Sequence, residues 1–228
     1  MRLDITAIVP MRHLSERVPQ KNYRLFAGKP LYHHIVGALL DCSLIGQVVI
    51  DTDSPFILED SARYFPEVIL LERPENLRDG AIPMNDVLLN TIKKTNADFY
   101  LQTHSTNPLL RRQTIQNAIE RFQKSYPMYD SLFSVTRLQT RLWDALSRPV
   151  NHHPAILLRT QDLPPIYEEN SCFYLFSRRI LEQRHNRIGE RPLLFEIPRN
   201  EAWDIDEEID FKVAEFLHLQ NLSSDYEV

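Results

Sequence analysis

Asp4-Ile5-Thr6-Ala7-Ile8-Val9, then Pro10-Met11-Arg12, a polar run from His13 to Arg24, and Gly28-Lys29-Pro30-Leu31 form the stretch that decides the fold. The apolar run reads as a buried strand that Pro10-Met11-Arg12 stops. The segment after it carries Arg12, Arg17, Lys21 and Arg24, with Ser15 and Asn22 between them. Pro30 suits the first turn of a helix, where a missing N–H removes no hydrogen bond. A strand running into a cationic loop and then a helix is how α/β proteins hold phosphates beyond the carboxyl end of a sheet. The run from His13 to Arg24 has no glycine, so it is neither a P-loop nor a dinucleotide fingerprint. Side-chain cations must do more of the holding. A charge run alone reads as a solvated loop; cations gathered with Ser and Asn straight after an apolar strand favour phosphate.

The remainder of the chain supports the same class. Its 228 residues suffice for one large domain with a full core. Apolar and charged fractions of 43% and 25% exclude disordered and fibrous classes. A net charge of −5 argues against a nucleic-acid partner, the basic loop being local. Cys42 and Cys172 lie in apolar patterns and read as small core residues in a reducing compartment. With no signal peptide and no membrane-length apolar run, the expected setting is the cytoplasm, away from the membrane.

Periodicity predicts a helix from Gly28 to Leu44, a strand from Gln47 to Asp51, a helix to about Tyr64 with Asp53 as its cap, and a strand from Val68 to Leu71. A helix beginning near Met84, a strand from Asp98 to Gln102, a helix from Thr114 to Gln123 and a strand from Asp130 to Val135 follow. Between Thr136 and Pro165 the rhythm breaks, an irregular length that a compact domain does not ordinarily carry. A strand from Cys172 to Phe176 and a final helix with Ile209, Val213, Phe216 and Leu217 inward complete the chain. Strand–helix alternation predicts an α/β fold, a three-layer, Rossmann-like, mostly parallel sheet in a single domain over 1–228.

Near the end, Asp204-Ile205-Asp206 precedes the last helix. If extended, Ile205 points into the core and both carboxylates point the other way, about 7 Å apart by strand rise. Two such carboxylates together with substrate phosphate suit Mg²⁺. An acidic helix N-terminus favoured by the macrodipole is the plainer account, and it covers Glu207, Glu208 and Asp206 but not Asp204. His104 is a candidate ligand or base in the loop after Gln102, and His152-His153 lack zinc-ligand spacing.

These residues carry a resemblance. Ile8-Val9-Pro10-Met11-Arg12 through Ser15, Pro19, Lys21-Asn22 and Ala27-Gly28-Lys29-Pro30-Leu31 resembles the signature of the CMP-sugar synthetases, the acylneuraminate and 3-deoxy-octulosonate cytidylyltransferases. Arg73-Pro74 with Leu77, Glu169-Asn170-Ser171 before a strand, and Asp204-Ile205-Asp206 with Asp210 resemble further motifs of that family, Ser171 standing where glycine is usual. The resemblance implies the fold of nucleotide-diphospho-sugar transferases and coupling of CTP to a 2-keto-3-deoxy sugar acid, with release of pyrophosphate. It implies catalytic roles for Arg12, Arg17 and Lys21, and nucleotide contacts from Arg12, Asn22, Arg73, Met84 and Asn85. Sugar contacts would come from Gln102, Tyr167 and Asn170, and Mg²⁺ ligands from Asp204 and Asp206. The stretch at about 136–166 would be an excursion that builds a homodimer. The loop after Gln102 lacks the aspartate of the octulosonate branch, which leaves His104 and Asn107 as its possible substitutes. A different sugar acceptor, or a nucleotide-binding relative without turnover, stands as the alternative.

Overall fold

In the computed structural model, which describes residues 3–224, strand β1 (Ile5–Met11) is buried along its whole length. Its alternate side chains enter different cores. Ile5, Ala7, Val9 and Met11 join helices α1 (Leu31–Leu40), α2 (Pro55–Tyr64) and α4 (Arg112–Ser125) on one face. Ile8 meets α3 (Met84–Lys93) and α5 (Arg178–Arg184) on the other. A strand of period two buried on both sides dictates three layers. The strand also runs past its expected stop, pairing Pro10 with Asp51 and Met11 with Thr52. Pairing with β6 (Phe99–Thr103) ends at Ile8 opposite Gln102, so beyond it a residue without an N–H fits.

The seven-stranded sheet has the order β5-β4-β1-β6-β8-β7-β9, where β4 is Gln47–Thr52, β5 Ile69–Glu72, β7 Ser131–Leu138, β8 Ile166–Ser177 and β9 Pro192–Glu196. Strands β5, β4, β1 and β6 are parallel; β8 runs antiparallel to both neighbours, and β9 is parallel to β7. Helix α5 and strand β9 lie in a stretch that periodicity left unassigned. At the front, the two-residue strands β2 (Leu25–Phe26) and β3 (Lys29–Pro30) form a small hairpin around Ala27 and Gly28, both with positive φ. That hairpin delays α1 to Leu31 and puts Pro30 at its cap. Ser54, not Asp53, caps α2, accepting from the Ile57 N–H. Helix α6 (Glu208–Ser224) buries Phe211 and Ala214, whereas Ile209 and Phe216 are each 60% exposed, which corrects the expected inward face.

The irregular stretch is narrower than its expected bounds. Thr136 to Leu138 and Ile166 to Glu168 pair as strands, leaving 139–165 outside the sheet. Asn151 organises it, donating from Nδ2 to Thr140 O (2.7 Å) and Pro164 O (3.3 Å) and accepting from the Leu142 N–H. His152 packs against the Trp143 ring and His153 accepts from the Ala155 N–H, so neither is directed toward a metal. No helix among the described residues is long and apolar enough to cross a membrane.

One expected substrate residue belongs to the framework instead. Arg73 is 1% exposed; its Nε donates to Asp51 Oδ1 at 2.6 Å and its Nη2 to Asp51 O at 3.0 Å. Thr91 Oγ1 donates to the other carboxylate oxygen at 2.8 Å. A fully buried guanidinium engaged with a fully buried carboxylate is not offered to phosphate, which corrects the nucleotide contact expected of Arg73. Removing one partner leaves a buried charge uncompensated. Arg73→Met should lower the unfolding free energy in urea titration by about 3–5 kcal/mol. A loss below about 1 kcal/mol would show that the pair does not hold β4 to β5.

Candidate active site

The chain leaves β1 for β4 and β5 on one side and later returns to β6 on the other, so a crevice opens where these strands end. A cavity of about 540 Å³ lies there, lined by Arg12, Arg17, Lys21, Asp53, Arg78 and His104 among others. A second cavity of about 520 Å³ surrounds Asp98, Asp130, Arg178 and Arg191 at the amino end of β6, the wrong end of such a sheet for a ligand.

Three loops are fastened together at the crevice. Asn22 Nδ2 donates to Arg12 O (2.7 Å), and Ser105 Oγ, from the loop after β6, donates to Asn22 Oδ1 (2.7 Å). Ile205 N–H donates to Thr106 O at 2.9 Å, and Lys21 Nζ donates to Ile205 O at 2.6 Å. Ile205 itself is fully buried, and the carboxylates of Asp204 and Asp206 on either side of it act on Lys21, which lines the cavity. Arg17 Nη2 donates to Asp206 Oδ1 at 2.6 Å, and Lys21 Nζ stands 3.8 Å from the same oxygen. The opening cations and the late acidic pair, nearly two hundred residues apart, thus meet. Asp206 is not the cap of α6: the backbone N–H groups of Asp206 and Glu207 both donate to Asp210 Oδ2. Arg24 turns away, gripping Glu208 with two hydrogen bonds.

A family model described as "Cytidylyltransferase" matches residues 6–222. The chain belongs to the cytidylyltransferase family. Among its relatives are N-acylneuraminate cytidylyltransferase A of Danio rerio, 28% identical over 92% of this chain, and pseudaminic acid cytidylyltransferase of Campylobacter jejuni, 26% identical over 95%. The chain spans 50% of the length of the former and 97% of the latter. A solved CMP:2-keto-3-deoxy-manno-octonic acid synthetase, complexed with CTP, shares the fold at TM-score 0.70 and 16% identity, covering 96% of this chain and 99% of its own.

Within this cytidylyltransferase the expected site residues divide sharply. Arg12 makes no ion pair among the described residues, and the Gly80 backbone runs beside it: a Cβ there would sit 3.2 Å from Arg12 Nη1. Glycine at 80 leaves that guanidinium its room. Asn22 lines the cavity, and its amide also holds the loop, donating to Arg12 O and accepting from Ser105 Oγ. Gln102 is fully buried, donating to His104 Nε2 (3.0 Å) and accepting from Arg187 Nη1 (2.6 Å), so its expected sugar contact also gives way to framework. Asn170 likewise accepts from Ser134 Oγ (2.6 Å) and donates to Thr136 Oγ1 (2.9 Å) at a bulge between β7 and β8. Ser171 beside it has φ 58°, a left-handed conformation that glycine adopts without steric cost. Tyr167 is 41% exposed on β8 at the base of the irregular stretch. Met84 packs with the core that contains Tyr174 and Ile188, and Asn85 Oδ1 is buried with no hydrogen-bond partner among the described residues.

His104 Nε2 accepts from Gln102, and burial, with Arg187 and Lys21 nearby, pushes its pKa down to about 4. It is therefore neutral, with its free lone pair already used, and does not serve as base or cation ligand. Asn107 is buried and donates from Nδ2 to Trp203 O. Sequence reading missed Asp53 and Arg78 as cavity residues. Asp53 Oδ1 accepts from the His13 N–H (2.8 Å), and Arg78 Nε donates to Arg73 O (2.9 Å). The only signal for Arg78 was its place one residue after Leu77 in the Arg-Pro segment.

Among the described residues no group of three or more His, Cys, Asp or Glu side chains could hold a metal ion. Mg²⁺ asks for fewer protein ligands than that when phosphate oxygens and waters supply the rest. The donor set fits on electrostatic grounds. Asp204 is held above the usual carboxylate range by loss of hydration, with Asp206 adding to the shift and Thr106 and Lys21 opposing it. A raised native pKa means that the folded protein binds this proton more tightly than the unfolded chain. The stability it contributes is full at low pH and is lost as pH rises from about 3.9 through the native value. Ionised Asp204 is therefore a liability near neutrality unless a cation faces it. By scanning calorimetry in chelator, Asp204→Asn should melt above wild type at about pH 7, and the gap should close below about pH 4. A variant that melts lower at both pH values would remove this account.

Proposed function

We propose that this cytidylyltransferase couples CTP to a 2-keto-3-deoxy sugar acid of the nonulosonate kind, giving a CMP-sugar and pyrophosphate, with Mg²⁺ as cofactor and a cytoplasmic homodimer as the working form. The observation that carries the reading is the meeting of Arg17 and Lys21 with Asp206 and Ile205 at the end of β1. Full-length sequence likeness to nonulosonate enzymes, 26% for pseudaminic acid cytidylyltransferase and 27% for CMP-N,N'-diacetyllegionaminic acid synthase of Legionella pneumophila, supports that acceptor class. The octulosonate neighbour is similar in fold at 16% identity.

The chemistry is in-line displacement. The anomeric hydroxyl oxygen bonds to the α-phosphorus, the bond to the β-phosphate oxygen breaks, and the hydroxyl proton passes to solvent. Lys21 has lost hydration, which lowers its pKa against the pull of Asp204 and Asp206, so a phosphate oxygen gains from its charge. Arg12 presents a guanidinium without an ion pair among the described residues. Arg17 is held only by an exposed pair with Asp206, of small net worth, and polyphosphate can take it over. Asp204 and Asp206 would hold Mg²⁺, which supplies charge neutralisation at the phosphate oxygens. The buried Asn85 Oδ1, without a partner among the described residues, favours cytosine, whose exocyclic amino group donates where uracil presents an acceptor. The 139–165 stretch exposes Trp143, Leu146, Val150, Ile156 and Leu157, the last 89% exposed, an apolar surface suited to a second copy.

Pyrophosphate release measured with CTP, UTP, ATP and GTP against a panel of keto-sugar acids should respond to CTP with a nonulosonate alone. Lys21→Ala and Arg12→Ala should each lower kcat/KM by about 10²–10³ in folded protein. Full activity in both variants would remove phosphate from the opening loop. Light scattering at micromolar concentration should report a dimer that Ile156→Asp with Leu157→Asp dissociates; a monomeric wild type would refute the assembly.

A further inference from the structure

The turn after α5 carries an arginine with no part in the proposal so far. His185 ends α5 at φ 52°, and its Nε2 pairs with Asp86 Oδ1 (2.7 Å) in the first turn of α3. Beyond it, Ile188 N–H donates to Asn186 Oδ1 (3.0 Å) and Gly189 N–H to Ser131 Oγ (2.8 Å). Arg187 therefore projects from a turn pinned on both sides. Its guanidinium carbon lies 3.6 Å from the centroid of the Tyr174 ring. Its Nη1 donates to Gln102 Oε1, and Gln102 passes its own amide to His104, which lines the cavity.

An arginine ordinarily ends in water or on a carboxylate. Arg187 is half-buried, and among the described residues no carboxylate lies within salt-bridge reach of it. Glu169 acts on it only at longer range and is itself engaged with the Tyr174 hydroxyl. Loss of hydration is the largest influence on its charge and works against it. Stacking on an aromatic face and one amide oxygen hold the group in place without neutralising it. A partly desolvated, immobilised guanidinium with no carboxylate in contact among the described residues is a receptor for two oxygens, since its planar fork matches a carboxylate bidentately. Gln102, one of the amides expected to contact the acceptor, spends both amide hydrogens on Thr103 O and His104 Nε2, while Arg187 has five guanidinium hydrogens and gives one to Gln102 Oε1.

We propose that Arg187 is the acceptor-reading residue of this enzyme, receiving the carboxylate of the sugar acid on a guanidinium stacked against Tyr174. This rests on the coupling reaction proposed above. It makes the choice of an acidic over a neutral sugar a property of the turn after α5, bound to the cavity through Gln102 and His104.

The test uses the full chain with CTP, Mg²⁺, N-acetylneuraminate and its methyl ester, in wild type, Arg187→Met and Arg187→Lys. Met keeps length and packing on Tyr174 without charge. KM for the acid should rise by about tenfold or more in Arg187→Met, while KM for CTP stays within about twofold. Arg187→Lys should fall between, having charge without the fork. Wild type should discriminate acid from ester, and Arg187→Met should not. A merely structural role would shift melting temperature and both KM values together. If wild type turns over and Arg187→Met keeps both its KM for the acid and its preference over the ester, the inference is overturned alone. If folded wild type releases no pyrophosphate with any keto-sugar acid, the coupling reaction fails and the inference with it.

Discussion

The crevice depends on how Ile205 is held. Its N–H reaches Thr106 O and its carbonyl takes the Lys21 ammonium, while its side chain is fully buried with Val18, Phe26 and Phe211. Once that one residue is fixed, its two neighbours, both carboxylates, are held where they act on Lys21. The same bond ties the loop after β1 to the segment before α6. Neither loop is then free to place its charges independently. Arg24 on Glu208 and Asn22 between Arg12 and Ser105 complete the fastening. Rigid scaffolding of this kind is what lets loop residues hold a reacting geometry.

The free protein carries electrostatic tension at this point. Lys21 and Asp204 have both lost hydration, and each opposes the change that burial imposes on the other. The exposed contact of Arg17 with Asp206 relieves some of it but is screened and weak. A polyphosphate with a divalent cation brings the missing charges of both signs at once. Tension stored in the apo state and relieved by ligand is a known means of tuning affinity, at some expense in stability.

Much of the fold was legible because it is periodic. The buried run at Ile5, the helices with apolar faces and the alternation of elements all follow from side-chain spacing, and the sheet appears as expected. Features without a period were not legible. The hairpin around Ala27 and Gly28 has two-residue strands, too short for any pattern. Helix α5 has seven residues, and β9 reads Pro-Leu-Leu-Phe-Glu without alternation. In α6, Ile209 and Phe216 look like core residues by hydropathy, yet Phe211 and Ala214 hold the buried face because the segment before the helix is anchored through Ile205. The motif residues themselves could be found in the sequence, but not what their side chains touch. Arg73 and Arg78 lie five apart in one segment; Asp51, forty residues from Thr91 in sequence and hydrogen-bonded to it, decides which of them is buried.

That division follows a physical rule. Asn22, Gln102 and Asn170 are amides, and each uses donor and acceptor ends within the protein. A neutral group engaged at both ends has less to give a ligand and much to give a frame, since leaving one end unpaired in a buried place is costly. Arg12, Lys21, Asp204 and Arg187 are charged, and among the described residues none is locked in a fully buried ion pair like that of Arg73. Arg73 has one, in Asp51, and belongs with the amides. Residue type therefore marks the neighbourhood of the site, but the completeness of each group's pairing sorts frame from receptor. By that criterion the acceptor is read by charge at Arg187, and the amide of Asn170 holds the bulge between β7 and β8.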